Sequence, residues 1–127
     1  MELSSLPAVP AAAVPHPLPP ELVELVAHRF RLLGEPMRIR LLDVLRGGER
    51  SVGELALALG ASQQNVSKHL AALHQGGVVR RRKAGNRVVY AIDDASIFEL
   101  CEIVCGGLQA RVAGLARLLD ASAAPGG

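Results

Sequence analysis

The stretch that decides the fold runs from residue 51 to residue 92 and reads SVGELALALGASQQNVSKHLAALHQGGVVRRRKAGNRVVYAI. It opens with Ser51 and Glu54 at the spacing of a capping box. In this motif the side chains of a serine and of a glutamate three residues later accept hydrogen bonds from free backbone N–H groups at the start of a helix. Gly60 suits the end of that short helix, because glycine readily adopts the left-handed conformation found there. Ser62 can begin a second helix after a very short turn. This order predicts a helix-turn-helix, although an ordinary helical hairpin shares the same signals.

The second of these helices has an apolar side and a polar side. Val66, Leu70 and Leu73 recur at helical spacing and are expected to pack inward. The other side carries amide, hydroxyl and ammonium groups, which hydrogen-bond base edges in a major groove. The base-reading residues that we predict are Gln64, Asn65, Ser67 and Lys68. Gln63 and His69 would orient the helix or touch the DNA backbone, and a simple solvated face is the alternative interpretation.

A β-hairpin is predicted after Gly76 and Gly77. Residues 78–83 are expected to form its first strand, 84–86 the turn, and 87–92 a return strand rich in β-branched side chains. A helix followed by a basic hairpin suits DNA as a partner.

The whole stretch from residue 62 to residue 92 contains no acidic side chain. Its basic residues are Lys68, Arg80, Arg81, Arg82, Lys83 and Arg87. We expect Arg82, Lys83 and Arg87 to cluster at the tip of the hairpin and to bind phosphate or a minor groove. Solvation of an exposed strand is the alternative, and the absence of a balancing acid argues against it.

Two further helices are predicted ahead of this stretch. The apolar residues of the first recur at helical spacing over residues 20–33, and they are Leu22, Val26, Phe30 and Leu33. Pro36 begins the second helix, whose inward side would consist of Ile39, Leu42 and Leu45. The short helix that Ser51 opens is expected to bury Val52, Leu55, Ala56 and Leu59.

The last helix is predicted to form a dimer. Its apolar residues repeat at spacings of three and four over about six turns, and they are Ile97, Cys101, Val104, Leu108, Val112, Leu115 and Leu119. A helix this long and apolar needs a second surface. Folding of a lone amphipathic helix onto its own domain is the alternative.

The length of 127 residues suits one compact domain. We predict a flexible Pro/Ala-rich arm over residues 1–19, a DNA-binding and dimerisation domain over 20–120, and a flexible tail over 121–127. The arm lacks the basic start of a signal peptide and is broken by prolines. No apolar run reaches the ~18–20 residues of a membrane helix. A cytoplasmic protein with no membrane partner is therefore predicted.

The sequence resembles the ArsR/SmtB family of bacterial metal- and stress-responsive repressors over about residues 20–120. The resemblance is carried by LGEPMRIRLL at 33–42, ELA at 54–56, SQQNVSKHL at 62–70 and GNRVVY at 85–90. It implies a winged helix-turn-helix, mainly α with a small β-hairpin, in the order α-α-α-α-β-β-α. It also implies a homodimer on a palindromic double-stranded operator. Two-fold symmetry would then separate the two recognition helices by ~34 Å.

The resemblance leaves the inducer open. A Cys-x-Cys thiolate site of the family falls at residues 54–58, which contain no cysteine here, and an Asp/His site on the last helix lacks histidines because none follows His74. Cys101 and Cys105 share one helical face and could hold a thiophilic metal or metalloid ion, or act as a reactive-sulfur switch. Packing is the alternative, since free cysteine behaves as a small buried hydrophobe.

Together these features predict a sequence-specific DNA-binding regulator, a homodimeric repressor released from its operator by an inducer. An enzyme is not expected, because no nucleophile–base pair, phosphate-cradling glycine loop or paired carboxylate stands out. Two alternatives remain. One is a regulator that does not respond to metals and whose cysteines only pack, and the other is a winged-helix module whose basic hairpin binds an acidic protein.

Overall fold

The computed structural model describes residues 14–123, with side chains described as far as residue 121. Residues 1–13 of the predicted arm and residues 124–127 of the predicted tail therefore lie outside the described residues. The chain divides into two units, with the boundary after Ala95. The first unit carries the helix-turn-helix and the sheet, and the second unit consists of the last helix. The single domain predicted for residues 20–120 stays a prediction.

The fold is mainly helical with a small antiparallel sheet, as predicted. The elements are α1 (Pro20–Leu33), α2 (Pro36–Leu45), β1 (Arg50–Ser51), α3 (Val52–Leu59), α4 (Gln63–Gln75), β2 (Val79–Ala84), β3 (Arg87–Ile92) and α5 (Ala95–Ala123). The helix boundaries follow the sequence signals closely. Strand β1 was not predicted, because two polar residues carry no alternating pattern.

The sheet has the strand order β1-β3-β2, and all pairs are antiparallel. The hairpin of β2 and β3 runs from Val79 opposite Ile92 to Ala84 opposite Arg87. Gly85, in the turn, has a φ of 64°, which favours glycine over residues with a side chain. Strand β1 lies on the other side of β3, so the segment just before α3 is attached directly to the hairpin, which we call the wing.

The helix-turn-helix forms by the predicted capping. The backbone N–H of Glu54 donates to Ser51 Oγ at 3.2 Å, and the N–H of Ser51 donates to Glu54 Oε1 at 2.9 Å. At the far end of α3, Gly60 adopts a left-handed conformation with φ 60° and ψ 36°. Helix α4 then starts at Ser62, whose Oγ accepts from the N–H of Asn65 at 3.1 Å. The capping box, the glycine turn and the second cap are all confirmed.

A core of aliphatic side chains holds the first unit together. Its fully buried members are Leu41, Leu45, Leu55, Leu70, Leu73, Val66, Val78 and Val79. The prediction for α2 was wrong at Ile39, which is 48% exposed, whereas Leu41 is 0% exposed. Two residues apart on a helix, these side chains point to nearly opposite sides, and the core takes the side that Leu41 shares with Leu45. In α3, Val52 and Leu59 are half-buried rather than buried.

Candidate DNA-binding surface

Helix α4 presents one side to the core and the other to solvent. Val66, Leu70 and Leu73 are fully buried, which confirms the inward side. Away from this side, Gln63, Gln64, Ser67 and Lys68 are exposed, and Asn65 is half-buried. The N-terminal half of the helix therefore offers amide, hydroxyl and ammonium groups to a partner. Base reading by these side chains stays a prediction.

His69 differs from its neighbours because it is only 8% exposed. Its Nδ1 accepts a hydrogen bond from Arg38 Nε at 3.1 Å, and Arg38 Nη1 donates to the carbonyl oxygen of Leu32 at 3.1 Å. Arg38 thus joins the end of α1 and the start of α2 to α4. This hydrogen bond is consistent with an orienting role for His69, and both that role and its contact with the DNA backbone stay predictions.

No role was predicted for Arg38. It stands within the family-like segment 33–42, yet nothing local marks it as the partner of a histidine 31 positions later. Arg29 acts similarly, with Nη1 donating to the carbonyl oxygen of Gly76 at 3.0 Å. Arg38 thus bonds to a side chain within α4, and Arg29 bonds to the residue that caps its C-terminal end.

The wing carries less free positive charge than its sequence suggests. Arg82 forms a two-pronged ion pair with Glu49, with Nε–Oε2 and Nη2–Oε1 distances of 2.7 Å each. Arg87 Nη2 lies 3.5 Å from Oε1 of Glu54. A third pair joins Arg80 to Asp93 at 3.3 Å.

All three acids lie outside residues 62–92, so the expectation that no acid balances this stretch was wrong. Folding brings to it Glu49 from just before β1, Glu54 from α3 and Asp93 from just after β3. Lys68, Arg81 and Lys83 form no ion pair within the described part of the chain. They are the basic side chains of this stretch that are immediately available to a polyanion.

The Glu49–Arg82 pair keeps both of its partners charged. The hydrogen bonds from Arg82 hold the pKa of the Glu49 carboxyl below its ordinary value, with the positive charge of the guanidinium adding to the effect. The same bonds raise the pKa of Arg82 further above its already high value. Both groups are therefore ionised at neutral pH, and the lowered pKa means that the Glu49 carboxyl takes up a proton only in acid.

The two cysteines lie one helical turn apart on α5. Cys101 is half-buried, Cys105 is exposed, and neither forms a disulfide. Within residues 14–123, no three side chains of the His, Cys, Asp or Glu type come close enough to hold a metal ion. A thiol sensor at Cys101 and Cys105 stays a prediction. Over the same residues, no helix has the length and apolar character needed to cross a bilayer.

Comparison with known proteins places this surface in a family. A family model described as a helix-turn-helix domain matches residues 33–82. An HTH-type transcriptional regulator of Mycobacterium tuberculosis, Rv0081, is 40% identical over 83 residues, which cover 65% of this chain and 73% of the relative. Its crystal structure superposes with a TM-score of 0.69 at 35% identity, over 75% of this chain and 96% of that one.

A solution structure supplies the family name. It is the homodimeric winged helix-turn-helix DNA-binding domain of Mb0332 from Mycobacterium bovis, titled a possible ArsR-family transcriptional regulator. It matches with a TM-score of 0.61 at 35% identity, over 68% of this chain and 82% of that one. The chain belongs to the ArsR/SmtB family. The SmtB repressor of M. tuberculosis agrees with this, at 38% identity over 80 residues covering 63% of this chain and 59% of the relative.

Membership in the ArsR/SmtB family makes the protein a DNA-binding transcriptional regulator. The resemblance inferred from the sequence and the winged helix-turn-helix fold are both confirmed. This ArsR/SmtB protein nevertheless lacks the family's Cys-x-Cys pair at residues 54–58 and the histidines of the family's other metal site on α5. The effector of this protein therefore cannot be inferred from those two family sites.

Proposed function

We propose that this protein is a homodimeric repressor that binds a palindromic operator and leaves it when an inducer binds. The observation that carries the proposal is the exposed polar face at the N-terminal half of α4, with Gln64, Ser67 and Lys68 in solvent opposite a fully buried stripe. A helix of this shape enters a major groove with its first turns. The naming of the M. tuberculosis SmtB relative as a repressor supports the direction of regulation.

The contacts with DNA divide between the helix and the wing. The residues that read base edges are Gln64, Asn65, Ser67 and Lys68, with Gln63 and His69 orienting the helix or touching the backbone. Phosphate or minor-groove contacts come from Arg82, Lys83 and Arg87. Lys83 is ready for such a contact, Arg87 has only a single 3.5 Å approach to Glu54, and Arg82 is bound two-pronged by Glu49.

A homodimer is supported by the apolar residues that α5 leaves in solvent. Its exposed large hydrophobic side chains are Ile103, Val104, Leu108, Val112, Leu115, Leu118 and Leu119. Five of them, Val104, Leu108, Val112, Leu115 and Leu119, fall on one side of the helix. An apolar stripe this long is rarely left in water and is typical of an interface. The M. bovis neighbour is described as homodimeric. Two-fold symmetry in the protein calls for two-fold symmetry in the operator, hence a palindrome.

The base-reading assignment is tested by DNA selection. Wild-type protein enriches a preferred duplex from a random pool, and Gln64→Ala and Lys68→Ala are then compared with Gln75→Ala, an exposed glutamine at the other end of α4. Loss of a base contact costs about 1–3 kcal/mol of discrimination against the wrong base. We expect that loss for the first two variants only. Unchanged preference in both would contradict the assignment.

The effector site that the residues support best is the pair Cys101 and Cys105. One thiol is exposed and the other half-buried, and their i, i+4 spacing allows both to bind one soft ion or to react in turn. Arsenite, zinc, cadmium and a persulfide donor are each titrated into the DNA complex of wild type, Cys101→Ser and Cys105→Ser. Release in wild type but not in the serine variants supports the site. If every ligand leaves DNA bound in wild type, the cysteines are packing residues.

The remaining expectations follow from DNA as the partner. The regulator performs no catalysis, and it acts in the cytoplasm, where bacterial DNA lies. Strong DNA binding with a salt-dependent affinity would distinguish this partner from the competing possibility, that the wing binds an acidic protein. DNA binding through several phosphates weakens in proportion to a power of the salt concentration.

A further inference from the structure

We propose that Glu49 limits the affinity of this protein for DNA by competing with DNA phosphate for Arg82 of the wing. The proposal rests on the proposed function, because it requires the wing to meet DNA. It assigns a role in DNA binding to an acidic residue that lies outside both the recognition helix and the hairpin.

In this pair, the carboxylate of Glu49 occupies arginine donors that a DNA phosphate would otherwise bind. Arg82 directs Nε and Nη2 at the two carboxylate oxygens of Glu49, both at 2.7 Å. An arginine grips a DNA phosphate with the same planar fork of donors. The two acceptors therefore exclude each other at the Nε–Nη2 edge of this guanidinium, and a phosphate that binds two-pronged at that edge must displace Glu49.

The sheet holds Glu49 in place for this competition. Glu49 immediately precedes β1, where Ser51 pairs with Val89, and Val89 in turn pairs with Arg82 on β2. Three strands thus bring together two side chains that are 33 positions apart in sequence. Only 22% of the Glu49 side chain is exposed, whereas 56% of Arg82 is exposed. The arginine can reach a partner in solvent, and the glutamate stays behind.

The other pairs of the wing do not compete in the same way. Arg87 makes a single 3.5 Å approach to Glu54, with both side chains about half exposed, and such surface pairs contribute little. Lys83 has no acidic partner within residues 14–123. Among the phosphate-binding candidates of the wing, Arg82 is therefore the one whose Nε–Nη2 edge is already occupied by a carboxylate.

Displacement of Glu49 has two electrostatic costs. The ion pair is lost, and a carboxylate is left unneutralised close to the phosphates of the DNA that displaced it. Glu49→Gln removes both costs while keeping the size of the side chain. The amide oxygen of glutamine still accepts a hydrogen bond, so the wing keeps its anchor.

The test measures DNA affinity over about 50–200 mM salt for full-length wild type and Glu49→Gln. The probes are the duplex selected by wild type and a scrambled duplex of the same composition. We expect Glu49→Gln to bind both duplexes more tightly and to steepen the salt slope by about 0.9, the value of one phosphate contact. Its affinity should then fall about threefold more than that of wild type across this salt range.

Asp43→Asn is the matched control. Asp43 is exposed on α2 and has no ion pair within the described residues, so this variant makes the same change in net charge without touching the wing. It should leave the slope unchanged. In Glu49→Gln/Arg82→Gln the gain should disappear, because the freed guanidinium is its source.

Three results overturn the inference: weaker binding by Glu49→Gln, a gain no larger than that of Asp43→Asn, or a gain that persists without Arg82. The proposed function fails separately. It is wrong if wild type does not prefer the selected duplex over the scrambled one. If wild type does prefer the selected duplex but Glu49→Gln binds DNA as wild type does, only the role of Glu49 is wrong.

Discussion

At the scale of single residues, Glu54 serves two neighbours at once. Its carboxylate accepts from the backbone N–H of Ser51, which closes the cap of α3, and it faces Arg87 on the wing. The hydrogen bonds with Ser51, backbone first and hydroxyl second, and the nearby arginines lower the pKa of Glu54. The ionised carboxylate is therefore the form that the folded protein prefers.

This preference predicts an acid-sensitive step in stability. A folded-state pKa below the ordinary value of 4.5 means that the contribution of Glu54 is complete above that pH and is lost as pH falls through the lower folded value. Urea melts of wild type and Glu54→Gln from about pH 7 to about pH 3 measure it. The variant should be less stable at neutral pH, and its deficit should shrink in acid. A deficit that stays constant with pH would show that the charge of Glu54 is irrelevant.

A second prediction concerns the link between Arg38 and His69. Removing Arg38 takes away the donor for a largely buried imidazole nitrogen, and an unsatisfied buried acceptor costs about 1–3 kcal/mol. Arg38→Ala should therefore destabilise the protein by about that amount in urea denaturation. Arg31→Ala, an exposed arginine in the last turn of α1, should change stability far less. Equal losses in the two variants would mean that the bond with His69 contributes nothing special.

At the scale of elements, the helix-turn-helix depends on the backbone at Gly60. Its φ of 60° lies in the region that costs a residue with a Cβ roughly 1–2 kcal/mol. No atom stands within 4 Å of a Cβ built there, so the cost of substitution is conformational rather than steric. Gly60→Ala should lower the free energy of unfolding by about 1 kcal/mol, and Gly60→Asn by less, because asparagine tolerates this conformation. Thermal melts of the two variants compare them, and an alanine variant as stable as wild type would contradict the argument.

The elements that could be predicted from sequence are those whose signals are local. Caps at Ser51 and Ser62, the glycine at 60 and the β-branched run at 87–92 each act within a few residues. They located α3, α4 and the wing to within about a residue. Strand β1 was missed because two residues have no periodicity.

The parts of the site that could not be predicted depend on contacts between residues that are far apart in the sequence. The bonds from Arg38 to His69 and from Arg82 to Glu49 span 31 and 33 positions. No spacing rule connects such residues. The charge of the wing was overestimated for this reason, since a count within residues 62–92 cannot include Glu49, which the pairing of β1 with β3 brings next to the wing.

At the scale of the whole molecule, α5 is an amphipathic helix whose apolar side chains are largely exposed to solvent. Leu108, Val112 and Leu115 belong to one helical stripe and are all more than half exposed. A second copy of the chain would cover this stripe with the same residues, as an isologous interface does. Dimerisation would also place two copies of α4 on one duplex, so operator affinity should depend on α5 although the proposed DNA contacts all lie on α4 and the wing.

Leu108→Glu tests this dependence, with Ala110→Glu as its control. Leu108 is 57% exposed in the single chain and would be buried in a dimer, where an unpaired carboxylate is strongly unfavourable. Ala110, two residues on, lies on the opposite side of α5 and gains the same charge in solvent. Sedimentation equilibrium should find Leu108→Glu monomeric and Ala110→Glu dimeric. The monomer should lose most of its affinity for the selected duplex, because one recognition helix then binds without its partner. If Leu108→Glu stays dimeric, the interface lies elsewhere.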